Sequence, residues 1–143
     1  MFKRIDHIEL LTAEPARAVA FYSGVLGFKV RAQDRVPSTP LGPLELVYLD
    51  LGGTTVELMA YPEAQLERAA PAERLGYRMM ALEVEDMDRA LALLKTKGVE
   101  PCWGPVRRAT YARAEIRDPD GNHIELRQWI AAAASSQSSR AGS

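Results

Sequence analysis

Three side chains in this sequence are of types that together can hold a metal ion or move a proton: His7, Glu57 and Glu125. Both glutamates stand in the same short phrase, an apolar residue followed by Glu and Leu: Val56-Glu57-Leu58 and Ile124-Glu125-Leu126. Strand side chains alternate, so each glutamate points away from the face that its apolar neighbours occupy. His7 is placed in the same way, with Ile8 and Leu10 on the opposite face of its strand. An imidazole and two carboxylates form a reasonable ligand set for a borderline-to-hard divalent cation. The plain alternative is that the glutamates face solvent and the histidine is structural. Matching positions in a repeated pattern argue for chemistry.

That pattern is a duplication. Residues 5–11 read as a strand, with Thr12 as the expected helix N-cap and Pro15 in the first turn. Pro15, Ala18, Val19 and Tyr22 then make one apolar helix face, and Gly24 or Gly27 ends the helix. Residues 79–84 read as a second strand, Asp86 is the expected N-cap of the helix after it, and Met87, Ala90, Leu91 and Leu94 repeat the helix face 72 residues later. Gly98 follows where a left-handed C-terminal residue belongs. Both halves close on strand, glycine turn and strand, at residues 45–61 and 112–129. The expected fold class is therefore α+β: two tandem βαβββ modules whose curled mixed sheets form a shared cleft. The first module spans 1–61, a connector 62–75, the second module 76–130, and 131–143 is a small, polar tail expected to be flexible.

Composition narrows the function classes. With 143 residues the chain is long enough for a core without disulfide or structural metal. Its formal net charge of −1, with basic and acidic residues interspersed, lacks a nucleic-acid footprint. No apolar run approaches the roughly 20 residues of a membrane helix, and MFKRIDHIEL has no signal-peptide core. One cysteine, Cys102, excludes an intrachain disulfide and agrees with a reducing cytoplasmic setting; no basic neighbour activates it. The expected partner is a small molecule, with neither nucleic acid nor membrane.

The stretches HIELLTAEPARAVAFYSGVLGFKV (7–30), VELM (56–59), ALEVEDMDRALALLKTKGVE (81–100) and IRDPDGNHIELRQW (116–129) resemble the vicinal oxygen chelate superfamily. That superfamily includes glyoxalase I, bleomycin-resistance proteins, extradiol dioxygenases and methylmalonyl-CoA epimerase. The resemblance implies a metal ligand in the first and last strand of each half. His7, Glu57 and Glu125 match three of those four slots, and Met79 occupies the fourth, where a histidine is usual. A thioether is a soft ligand, poorly suited to the Zn, Ni, Mn, Co or Mg chemistry of such sites, among which, with Fe, the implied divalent cofactor falls.

Three activities follow from the resemblance. One is a divalent-metal-dependent lyase or isomerase of the glyoxalase type, with Glu125 or Glu57 as the proton-shuttling base. The next is a metal-free protein of the bleomycin-resistance type that binds and sequesters a small molecule. There the two carboxylates need a proton or arginine partners, with Arg113 and Arg127 the candidates by position. The third is ring cleavage at iron, for which His123 would have to replace the missing histidine, although its place beside the turn suggests a solvated side chain. Tyr48, Met79, Trp103, Tyr111 and Arg113 are the candidate residues of the substrate cleft, and core packing accounts equally well for the aromatic ones. Relatives also imply a homodimer.

Overall fold

The computed structural model describes residues 1–68 and 75–131, so residues 69–74 of the expected connector and 132–143 of the expected flexible tail lie outside the described residues. The described chain forms two four-stranded mixed sheets, matching the tandem βαβββ expectation; neither sheet closes on itself. By contacts it divides into two units: Met1–Met79 with Arg117–Ile124, and Met80–Ile116 with the chain from Glu125 onward.

In the first unit the strands are β1 (His7–Leu11), β2 (Lys29–Thr39), β3 (Gly42–Leu51) and β4 (Thr54–Ala60), in the order β1-β4-β3-β2. β1 runs parallel to β4 with Glu9 opposite Glu57, and β3 runs antiparallel to β4 with Tyr48 opposite Glu57. The hairpin between β3 and β4 turns through Gly52 and Gly53, both at positive φ (57° and 80°), where side chains are disfavoured. β1 starts at His7 rather than at residue 5, because β4 offers its first parallel partner, Thr55, to His7.

Helix α1 (Pro15–Val19) packs on β4 and passes directly into a π-helical segment, Ala20–Val25, which carries the FYSGV motif. There the Leu26 N–H donates to the Phe21 carbonyl five residues back, and Gly27 at φ 83° ends the run. Ala18, Phe21, Tyr22, Phe28, Leu49, Val56 and Leu58 are buried in this unit. Thr12 is not the N-cap expected of it: Glu14 occupies that position and makes no side-chain cap. The Thr12 hydroxyl donates instead to Asp120 Oδ2 at 2.6 Å, and the Ala13 N–H donates to Asp120 Oδ1 at 3.0 Å. The same Thr12 oxygen accepts the Glu14 N–H at 3.2 Å, so the hydroxyl bridges the entry to α1 and the distant carboxylate.

Asp118, two residues earlier in the same turn, is buried. Its Oδ1 accepts the N–H groups of Asp120 and Asn122 at 3.0 and 2.8 Å, and its Oδ2 accepts Asn122 Nδ2 and the Tyr22 hydroxyl at 2.9 and 2.8 Å. Tyr22 meets Phe21 and Phe28 edge to face at 5.4 and 5.6 Å. Burial, then the charge of Asp118, push its hydroxyl far above the ordinary tyrosine range. The DPDG turn is thus a connector that ties β1, the π-helical segment and itself together.

The second sheet is made of β5 (Met80–Glu83), β6 (Trp103–Arg107), β7 (Tyr111–Arg117) and β8 (His123–Trp129), ordered β5-β8-β7-β6. Helix α2 (Met87–Thr96) has the expected cap, Asp86, which accepts the Arg89 N–H at 2.9 Å. It ends as expected at Gly98, φ 75°, with the Val99 N–H on the Leu94 carbonyl. Gln128 of β8 accepts the Met87 N–H at 2.9 Å and pins the start of the helix. Met87, Leu94, Ala112, Ala114, Ile116 and Leu126 are buried. Among the described residues no helix is long and apolar enough to cross a membrane.

Replacing Asp118 by Ala strands four donors in a buried turn. Urea unfolding is expected to show a loss of roughly 3 kcal/mol, and Tyr22→Phe a loss of about 1–2 kcal/mol.

Candidate functional site

In the first unit, the parallel register of β1 and β4 brings His7, Glu9 and Glu57 onto one sheet face. One ligand atom from each lies within 4.8 Å of the other two. His7 Nε2 is 3.3 Å from Glu9 Oε1 and 3.4 Å from Glu57 Oε2, while Nδ1 is 3.1 Å from Asp6 Oδ2. Glu57 is 8% exposed between Val56 and Leu58, which are buried on the other face. Asp6, itself paired with Arg4 at 2.9 Å, holds the ring from behind, so Nε2 is turned toward the two glutamates.

This nitrogen–oxygen donor set fits a divalent cation: the three groups already converge, and two bring negative charge. Glu9 was not singled out from the sequence, although it shares strand parity with His7. What the sequence does not show is that β1 and β4 are parallel neighbours.

Tyr48, also on this sheet, lies under Arg31, whose guanidinium carbon is 5.2 Å from the ring centroid. Arg31 pairs with Asp50 at 2.9 Å, and Thr55 donates to Asp50 at 2.7 Å. The hydroxyl of Thr55, followed by Arg31, holds the Asp50 carboxyl below its usual range. Met79 sits immediately before β5, and its sulfur accepts from Arg78 Nη1 at 3.5 Å.

Glu125 has different company in the second unit. Its Oε1 accepts Arg127 Nε at 2.6 Å, and its Oε2 lies 3.2 Å from Arg113 Nη2. The same Arg113 nitrogen reaches Glu115 at 2.9 Å. Glu125 is 8% exposed, so these guanidiniums supply the neutralising charge that burial demands. Both oxygens of Glu125 are engaged by arginine, and Met79 offers only a thioether. Trp103 and Tyr111 stack against these arginines: Arg113 lies 4.7 Å from the Trp103 centroid and Arg127 lies 4.6 Å from that of Tyr111. His123 opens β8 and is half-buried, whereas a solvated turn position was expected. Cys102 is exposed, and its N–H donates to the Glu115 carbonyl at 2.7 Å.

The carboxylates around His7 raise its pKa above the ordinary imidazole value, Asp6 contributing most and Glu9 next. The protonated form is therefore favoured in the folded chain, and that preference is lost as the pH rises through the raised pKa. An NMR titration of the His7 ring is expected to show a midpoint above about 6.5. Asp6→Asn should lower that midpoint more than Glu9→Gln does.

The chain is 31% identical over 127 residues to the lactoylglutathione lyase of Escherichia coli O157:H7, covering 86% of this chain and 90% of the relative. It is 30% identical over 129 residues to the uncharacterised protein YaeR of Escherichia coli K12, covering 87% and 95%. The crystal structure of a glyoxalase family protein from Bacillus cereus superposes with a TM-score of 0.78 at 24% identity, over 91% of this chain and 96% of that one, a likeness of fold. A family model matches residues 4–126, and the chain belongs to the glyoxalase/bleomycin resistance protein/dioxygenase superfamily.

Proposed function

We propose that this protein is a divalent-metal-dependent lyase or isomerase of the glyoxalase type, acting on a small oxygenated substrate. The observation that carries the reading is the convergence of His7, Glu9 and Glu57 on one sheet face. The likeness to a lactoylglutathione lyase supports it. His7 Nε2, Glu57 and Glu9 are the groups that would hold the cation. When bound, such an ion polarises a substrate oxygen and acidifies the carbon beside a carbonyl.

The chain's own contribution is the proton. Glu57, buried and next to His7, is the base that takes a proton from carbon and returns it. Glu125 would have to shed two arginines before it could act as base or ligand, so the proposal gives the proton to Glu57. Asp6 keeps the His7 ring oriented. The protein works on its small molecule in the cytoplasm as a homodimer.

A specific observation favours a second reading, a metal-free protein that binds and sequesters a small molecule. The Glu125 carboxylate is paired with arginines and Met79 supplies only sulfur, so two of the four family ligand slots are unsuited to a cation.

Metal content separates the two. Protein purified without chelator is expected to carry near-stoichiometric Zn, Ni, Mn, Co, Mg or Fe by inductively coupled plasma mass spectrometry. A His7→Ala/Glu57→Gln double variant should carry none, and Glu57→Gln alone should lose about 10²–10⁴-fold in turnover of 2-oxoaldehyde or epimerisable acyl substrates. A wild type that stays empty after incubation with these ions overturns the enzyme reading and leaves the binding protein.

A further inference from the structure

One face of the second unit's sheet carries a row of alternating charge: Glu115 and Arg113 of β7, then Glu125 and Arg127 of β8. Three aromatic rings hold the guanidiniums flat. Arg113 lies over Trp103 at 4.7 Å, and Arg127 lies over Tyr111 and Trp129 at 4.6 and 5.1 Å. Tyr111 and Trp129 meet edge to face at 6.3 Å. The two tryptophans remain 44% and 61% exposed. Large exposed apolar side chains gathered on one face mark a binding surface.

Hydrogen-bond donors exceed acceptors in this row. A guanidinium carries five N–H donors. Arg113 spends Nη2 on both Glu115 and Glu125, and its Nε is buried without a partner. Arg127 directs Nε and Nη2 at one oxygen of Glu125. Among the described residues neither arginine has an Nη1 contact. Both oxygens of Glu125 already accept from these arginines, and the two Nη1 groups are left without an acceptor among the described residues.

We propose that this face binds a planar aromatic acid, its ring laid on Trp103 or Trp129 and its carboxylate taken by the unused Nη1 donors of Arg113 and Arg127. The inference deepens the small-molecule reading above and rests on it, but needs no metal. An ammonium ligand brings no acceptor for the Nη1 donors, and a neutral arene would leave them unmatched too. The carboxylates of Glu115 and Glu125 fix the guanidiniums in advance, so little side-chain entropy is lost on binding. Glu125, in this account, is the counter-ion that sets up the surface.

Both tryptophans of the chain lie on this face, so tryptophan emission, excited selectively over tyrosine, reports on the surface in question. The test titrates full-length, EDTA-treated protein with 4-nitrobenzoate and, in parallel, with 4-nitrobenzylammonium, two quenchers that differ in charge. The expected result is saturable quenching by the acid, with the ammonium analogue weaker by about tenfold or more. Arg113→Lys keeps a charge beside both glutamates but loses the fork, and should weaken the acid by about tenfold. Trp129→Leu, at an exposed position, should weaken it while the protein stays folded. Equal quenching by the two probes, or saturation by neither, overturns the proposal. So does an Arg113→Lys protein that folds and binds the acid as tightly as the wild type. If Arg113→Lys does not fold, the two-probe comparison on wild type and Trp129→Leu decides alone. Because the metal is stripped, failure here leaves the metal-content result untouched.

Discussion

A carboxylate taken out of water stays ionised only if a cation or a set of donors replaces the water it has lost. Two strands of this chain impose that demand. Each puts a glutamate between two fully buried aliphatic residues, and each glutamate is almost as buried as its neighbours although it faces the other way. The surroundings of Glu57 and Glu125 are answers to this one constraint. In the first unit the answer is an imidazole, shared with a second carboxylate, Glu9. In the second unit it is a pair of guanidiniums, braced on three rings.

The two answers have different chemical consequences. Two carboxylates on one imidazole leave negative charge in excess, which suits a cation. Two guanidiniums shared between Glu115 and Glu125 balance the charge but leave Nη1 donors over, which suits an acid. The duplicated scaffold has therefore kept its geometry while its repeated glutamates acquired opposite surroundings. Superfamily membership alone cannot reveal this, since a shared fold does not carry a shared site.

The scaffold diverged in its supports as well. α2 is capped from its own chain by Asp86, as local rules expect. α1 has no such cap, and a turn far away in the sequence reaches it: Asp120 takes the Thr12 hydroxyl and the Ala13 N–H, while Asp118 takes the Tyr22 hydroxyl. The end of β1, and with it the strand that carries His7, is held by a turn from the second half of the sequence. The FYSGV and DPDGN motifs, which carry much of the family resemblance, are two sides of one hydrogen-bonded junction.

Period and punctuation made much of this legible from residues alone. Strand alternation assigned the faces of Glu57, Glu125 and His7, helix spacing exposed the duplication, and Asp86 and Gly98 marked the ends of α2. All of these are local rules, acting within a few residues. Partnership is not local. Glu9 joins His7 and Glu57 because β1 lies parallel to β4 in one particular register, and Arg113 reaches Glu125 because β7 lies beside β8. Parity told which way each side chain points and was silent on what waits there. Thr12 shows the same limit: its hydroxyl donates to a carboxylate more than a hundred residues away, a partner that no local capping rule supplies. Sequence by itself determined the repeat, the faces and the demand for counter-charge; only the tertiary structure decided which counter-charge each glutamate received, because long-range strand pairing chooses neighbours that no local pattern encodes.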